Sequence, residues 1–155
     1  MLKYLWLTSF VIASDQISKW FMVSWLSLHE TFAVVPFFNL TMAHNPGAAF
    51  SFLAHADGWQ KWFFVGLASL VSIALLIWLK RLKPNAKLEA VSIAMILGGA
   101  LGNLIDRLYY GYVIDFLDVY YGTYHWPAFN VADSAIVVGA VLLIIDSFRS
   151  KTEYI

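Results

Sequence analysis

Residues 62–79 read WFFVGLASLVSIALLIWL, eighteen positions without a charge. A membrane-crossing helix needs about 20 mostly apolar residues, with a range of about 17–25, so this run predicts one. A second uncharged run, AVSIAMILGGALGNLI, fills 90–105. Working outward, a third apolar stretch starts near Tyr4 and reaches Phe21, with Asp15 and Lys19 interrupting its far end. A fourth starts at Val131 and carries Asp133 in its first turn. The expected fold is therefore an all-α integral membrane protein, a single domain over 1–155. Its four transmembrane helices are expected at approximately 4–21, 62–79, 89–105 and 131–148. Lys3 followed by apolar residues to Ala13 imitates a cleavable leader, but the apolar pattern runs on past the cleavage position, so the segment is read as a retained helix.

Composition agrees. Of 155 residues 61% are hydrophobic and only 13% charged, about half the charge of an ordinary soluble domain. Such a surface faces lipid. Ten Lys and Arg balance ten Asp and Glu, which leaves no basic excess to bind nucleic acid. The apolar content excludes disorder. Cysteine is absent, so thiol nucleophiles, disulfides and Cys-based metal sites are excluded.

Basic residues orient the chain. Lys3, Lys80, Arg81, Lys83, Lys87, Arg149 and Lys151 all fall on one side if there are four crossings. The positive-inside rule makes that side cytoplasmic, with both termini there. Asp57, Asp106, Asp115, Asp118 and Asp133 lie on or near the opposite side. Two longer segments also lie there. Residues 32–42 are β-branched and aromatic, broken by Pro36, and read as one or two short strands. Residues 112–121, between Gly111 and Gly122, again favour extended structure. A small β-sheet, a cradle on the outer membrane face, accounts for both. Asn39-Leu40-Thr41 matches a glycosylation acceptor, a tripeptide too short to carry function. Gly98 and Gly102 form a GxxxG pattern that fits helix packing inside the bundle before a homodimer face, so a monomer is expected.

Ionisable groups at membrane depth cost several kcal/mol unless paired or wetted. Asp15 and Lys19, at i and i+4, can form an ion pair on one helix face. Asn103 and Arg107 share a face one turn apart, with Asp106 beside them; Arg107 either snorkels to the headgroups or holds a substrate carbonyl or carboxylate. Asn130 can cap the last helix, which puts Asp133 at its third position, where the helix dipole favours an anion. Capping alone is one reading of Asp133, and an edge-strand charge one reading of Asp115. If the two converge they share a proton, the state aspartic-protease chemistry uses. Asp115 would be the protonated partner. HExxH and GxSxG are absent, the four histidines lack metal-ligand spacing, and Ser134 with His125 lacks an oxyanion motif.

DQISK (15–19), NPGAAFS (45–51), GNLIDR (102–107), VIDF (113–116) and FNVADS (129–134) together resemble the ordered motif set of the bacterial lipoprotein signal peptidases, or signal peptidase II. The resemblance covers nearly the whole chain. It implies a four-helix aspartic endopeptidase of the bacterial inner membrane, with a β-cradle on the outer leaflet. Such an enzyme removes the signal peptide from diacylglyceryl-modified prolipoproteins, cutting before the lipidated cysteine with an Asp dyad and a water. The family's catalytic pair maps onto Asp115 and Asp133. Substrate-binding and supporting residues map onto Asn45, Asn103, Arg107 and Asn130, with Asp15, Lys19 and Asp106 in the matching motifs. No metal or other cofactor is implied. Membrane lipids and globomycin-type inhibitors are the further expected partners. A slot for substrate is expected at Gly98-Gly99-Ala100. Two competing readings are a small transporter or proton-relay subunit, which would want its acids near the midplane, and a structural scaffold, which leaves the acids unexplained.

Overall fold

The computed structural model describes residues 1–47 and 58–152, the last three without side chains. Ala48 to Ser51 of the NPGAAFS stretch, His55 and Asp57 lie outside these. After a 3₁₀ turn at Leu2–Tyr4 come helix α1 (Leu5–Trp25), strands β1 (Thr31–Val35) and β2 (Phe38–Asn45), and helices α2 (Trp59–Arg81) and α3 (Lys87–Tyr109). Strands β3 (Val113–Tyr121) and β4 (Tyr124–His125) and helix α4 (Val131–Thr152) complete the chain. Among the described residues three helices, α2, α3 and α4, are long and apolar enough to cross a membrane. α1 is long enough at 21 residues. Asp15, Gln16, Ser18 and Lys19 dilute its apolar character, yet Asp15 and Lys19 are buried inside the protein.

α3 is the central helix and packs against α4, α1 and α2. Small residues let it. A Cβ on Gly98 would lie 2.7 Å from Val11 Cβ of α1, one on Gly99 would collide with the Ala132 carbonyl oxygen of α4, and one on Gly102 would lie 2.7 Å from Asp15 Oδ2. Close backbone approach is how membrane helices gain dispersion contacts when lipid supplies no hydrophobic drive. The glycine surface is thus occupied by α1 and α4. That overturns the expected substrate slot at Gly98-Gly99-Ala100 and leaves no homodimer face on Gly98 and Gly102. At the α2–α3 turn, Leu75, Leu79, Ala90, Ile93 and Leu97 form one apolar cluster.

The four strands form an antiparallel sheet in the order β1-β2-β3-β4. Pro36 and Phe37, the latter at φ 73°, turn the chain from β1 into β2. Between β2 and β3 the register slips at a bulge between Leu40 and Ala43, after which Ala43 pairs with Asp115 and Asn45 with Val113. A bulge re-aims the side chains beyond it, here Asn45 towards Asp115. Met22 of α1 and Leu26 just after it pack with Met42, Ile114 and Phe116, which seats the sheet on the end of the bundle. Asn39, the glycosylation candidate, is 7% exposed and donates its Nδ2 to Asp118 Oδ2 at 2.8 Å, so it is not free to carry a glycan.

Candidate active site

Three elements deliver the acidic pair. β3 carries Asp115, the start of α4 carries Asp133, and α3 lies between with Asn103 and Arg107. Asn130 caps α4 as expected, its Oδ1 accepting the Asp133 N–H at 2.9 Å. Its Nδ2 meanwhile donates to Asp115 Oδ1 at 2.7 Å and to Asn103 Oδ1 at 3.2 Å. Asn103 then donates its own Nδ2 to Asp133 Oδ1 at 2.8 Å. The two carboxylates are thereby tied into one chain, Asp115–Asn130–Asn103–Asp133. Asn45 holds the other oxygen of Asp115 at 3.0 Å, and its Oδ1 accepts the Gly47 N–H.

Asp115 is 3% exposed. Burial, and after it the charge of Asp133, push its carboxyl up to about 7, against the donors from Asn45 and Asn130, which pull it down. A carboxyl raised towards neutrality is suited to giving and taking a proton. Arg107 donates to the backbone carbonyls of Gly47 (3.0 Å) and Asn103 (3.3 Å) and lies over the Phe64 ring at 5.3 Å. Its buried Nε has no partner among the described residues.

Behind the acids sits a second network. Lys19 bridges Asp15 at 2.8 Å and Asp106 at 2.7 Å, and also donates to Asn103 at 3.1 Å. Asp15 accepts the Ala132 N–H at 2.9 Å, and Asp106 accepts the Ile114 N–H at 3.1 Å. These bonds join α1, α3, β3 and α4 around the site. Gln16, quoted in DQISK but assigned no role from sequence, donates to Asp106 at 2.9 Å and to the Gly102 carbonyl at 3.2 Å. Asp15, Lys19 and Asp106 do not line the cavity. They are the foundation under it.

The cavity measures about 760 Å³ and is lined by Asp115, Asp133, Asn45, Asn103 and Arg107 on its polar side. Trp126, Pro127, Phe129, Val137 and Val138 form its apolar side. Sequence reasoning gave no role to His44 at its edge, which stacks on Tyr112 at 3.9 Å and is held below the ordinary histidine range by burial and the nearby His29. Ser134 spends its hydroxyl on the Asn130 carbonyl, and His125 binds Asp118, so the two do not pair. Among the described residues no three His, Asp or Glu side chains gather as metal ligands. Two linked carboxyl groups on one side and apolar surface on the other suit acid–base hydrolysis of a polar bond within an apolar chain.

Comparison with known proteins points the same way. Residues 7–149 match the family model described as signal peptidase (SPase) II. A lipoprotein signal peptidase of Alteromonas mediterranea is 54% identical over 149 residues, covering 96% of this chain and 82% of that one. The Pasteurella multocida protein of the same name is 49% identical, covering 98% and 92%. A solved bacterial membrane enzyme superposes with a TM-score of 0.85 at 30% identity, covering 99% of this chain and 92% of the other. A second scores 0.80 at 32% identity, covering 94% and 92%.

Proposed function

We propose, from the premise that this chain belongs to the signal peptidase II family, a mechanism and topology for an aspartic-type peptidase that removes signal peptides from prolipoproteins. Asp133 is the base and Asp115 the acid. Asp133 takes a proton from a water whose oxygen bonds to the scissile carbonyl carbon, while Asp115 gives its proton to the carbonyl oxygen. When the tetrahedral intermediate collapses, the C–N bond breaks, the nitrogen takes the proton from Asp133, and Asp115 recovers its own from the intermediate's hydroxyl. The observation that carries this reading is the single hydrogen-bonded chain from Asp115 to Asp133 along one cavity wall.

Asn130 and Asn103 hold the carboxylates fixed in orientation, Asn45 steadies Asp115, and Arg107 offers its guanidinium to a substrate carbonyl. Asp15, Lys19 and Asp106 support them from below. The whole chain acts as one domain in the bacterial inner membrane. α1 makes the fourth crossing, both termini are cytoplasmic, and the sheet lies on the outer leaflet. A substrate that is itself a membrane helix, ending in a diacylglyceryl cysteine, then presents its bond at the height of the acids, and cleavage falls before that cysteine. Acids gathered at helix ends beside a sheet support this over a relay across the membrane. The enzyme acts as a monomer among membrane lipids, and globomycin-type cyclic peptides compete for the same cavity.

The test is cleavage by the purified protein in lipid nanodiscs, with prolipoprotein offered either with or without its diacylglyceryl group. Cleavage of the lipidated form before its cysteine, with little of the bare form, is expected. Equal cleavage of both, or of neither, refutes the substrate assignment.

A further inference from the structure

The apolar wall facing α4 is the strip Trp126-Pro127-Ala128-Phe129, which follows β4 and belongs to no strand except for a bridge at Phe129. Pro127 has no backbone N–H to give, so the strip is held at its two ends. At its C-terminal end Phe129 exchanges backbone hydrogen bonds with Leu117 at 2.8 and 3.0 Å. At its N-terminal end the Trp126 N–H binds the Val119 carbonyl at 2.8 Å. Beside it, His125 Nδ1 lies 2.9 and 3.0 Å from the two oxygens of Asp118. The imidazole stacks on Tyr120 at 5.2 Å. Asp118 is 6% exposed, and Asn39 of β2 occupies its Oδ2.

The hydrolysis uses none of the Asn39, Asp118 and His125 side chains. The pleat of β3, of period two, puts Asp118 on the opposite face from Asp115. His125 sits opposite Tyr120 and so on the face of Asp118, while Trp126 lines the cavity. A buried carboxylate is retained only where it is bonded, and its bonds here join β2, β3 and β4 at the root of the strip. We propose that the Asp118–His125 pair, seated by Asn39, is a positioning latch. It fixes how far the Trp126–Phe129 strip stands from α4 and so sets the fit of the apolar substrate segment beside the scissile bond. His125 and Asp118 touch no reacting atom. The proposal rests on the cavity being the peptidase site argued above.

His125→Ala and His125→Asn separate this from a general folding role, because an Asn amide nitrogen stands where Nδ1 stands in histidine and can still donate to Asp118. His125→Ala is expected to raise KM for a lipidated prolipoprotein about tenfold with kcat within about twofold, as for one lost hydrogen bond to a charged group. His125→Asn is expected to restore most of the wild-type KM. An unchanged KM in His125→Ala, a loss confined to kcat, or equal losses in both variants overturns the latch. Hydrogen exchange of the Trp126 amide is a second readout that needs no substrate. It is expected to quicken in His125→Ala and not in His125→Asn, and equal protection in all three proteins overturns the latch. Failure of the wild type to cleave would instead sink the peptidase reading, with the exchange measurement still deciding whether the strip is latched.

Discussion

Removing the Asn45 side chain should move the pH dependence of cleavage in a stated direction. Asn45 Nδ2 donates to Asp115 Oδ2 at 3.0 Å, and this bond favours the ionised carboxylate. Even with that bond in place, burial and Asp133 hold Asp115 up at about 7. A hydrogen bond to a charged group contributes about 1.5–3 kcal/mol, and 1.36 kcal/mol corresponds to one pKa unit. Asn45→Ala should therefore raise the Asp115 pKa by about one unit, at the lower end of that range because Asn45 is only partly buried and Asn130 remains in place. If Asp115 is the proton donor, activity is lost as pH rises through its pKa. The alkaline limb of kcat/KM should sit near neutrality in the wild type and shift upward by about one unit in Asn45→Ala. The assay is the initial rate of prolipoprotein cleavage in nanodiscs across pH 5 to 10. A limb that stays in place or moves to lower pH refutes the assignment of Asp115 as the acid.

Two further outcomes test the frame around the site. Lys19→Met leaves Asp15 and Asp106 buried without their shared cation; breaking such a pair costs about 3–5 kcal/mol, so thermal unfolding in detergent should show a large fall in Tm, and an unchanged Tm contradicts the network's role. Gly102→Ala places a methyl 2.7 Å from an Asp15 oxygen whose carboxylate is already pinned by Lys19 and the Ala132 N–H. Overpacking of this kind costs about 1–3 kcal/mol, whereas Gly66→Ala, with nothing within 4 Å of the added carbon, should leave stability within about 0.5 kcal/mol, as for surface changes generally.

What the linear sequence disclosed follows from the range of each interaction. Uncharged runs are local, and they located α2 and α3 to within a few residues. Turn chemistry is local too, so the breaks at Pro36 and Gly111 marked the strands. The Asn130 cap on Asp133 was legible because three residues separate donor and acceptor. α1 was the harder helix. Asp15 and Lys19 interrupt the far end of an apolar stretch read to Phe21, yet the helix runs through them to Trp25, with Asp106 and the start of α4 satisfying both charges. Asp106 lies 87 positions beyond Lys19, and no pattern within either helix announces that meeting. The GxxxG pattern rightly pointed to packing inside the bundle, but Gly98 and Gly99 signal close approach without saying to what, which is why the slot was misplaced: the occupants are Val11 and Ala132. Gln16 went unassigned because its partner Asp106 lies on a helix met only in the fold, and the Asp118–His125 pair because β4 is two residues long and leaves no strand pattern.

The central claim is that Asp115 and Asp133 act as one unit. Its most direct test is the cleavage rate of Asp115→Asn, Asp133→Asn and the double variant, each shown to be folded in nanodiscs. Groups that act together lose their effect together. Each single variant is expected to fall by at least about 10³-fold, within the range of general acid–base catalysis, and the double variant is expected to fall no further. A single variant that keeps near wild-type cleavage, or a double variant whose loss is the product of the two single losses, would contradict the dyad.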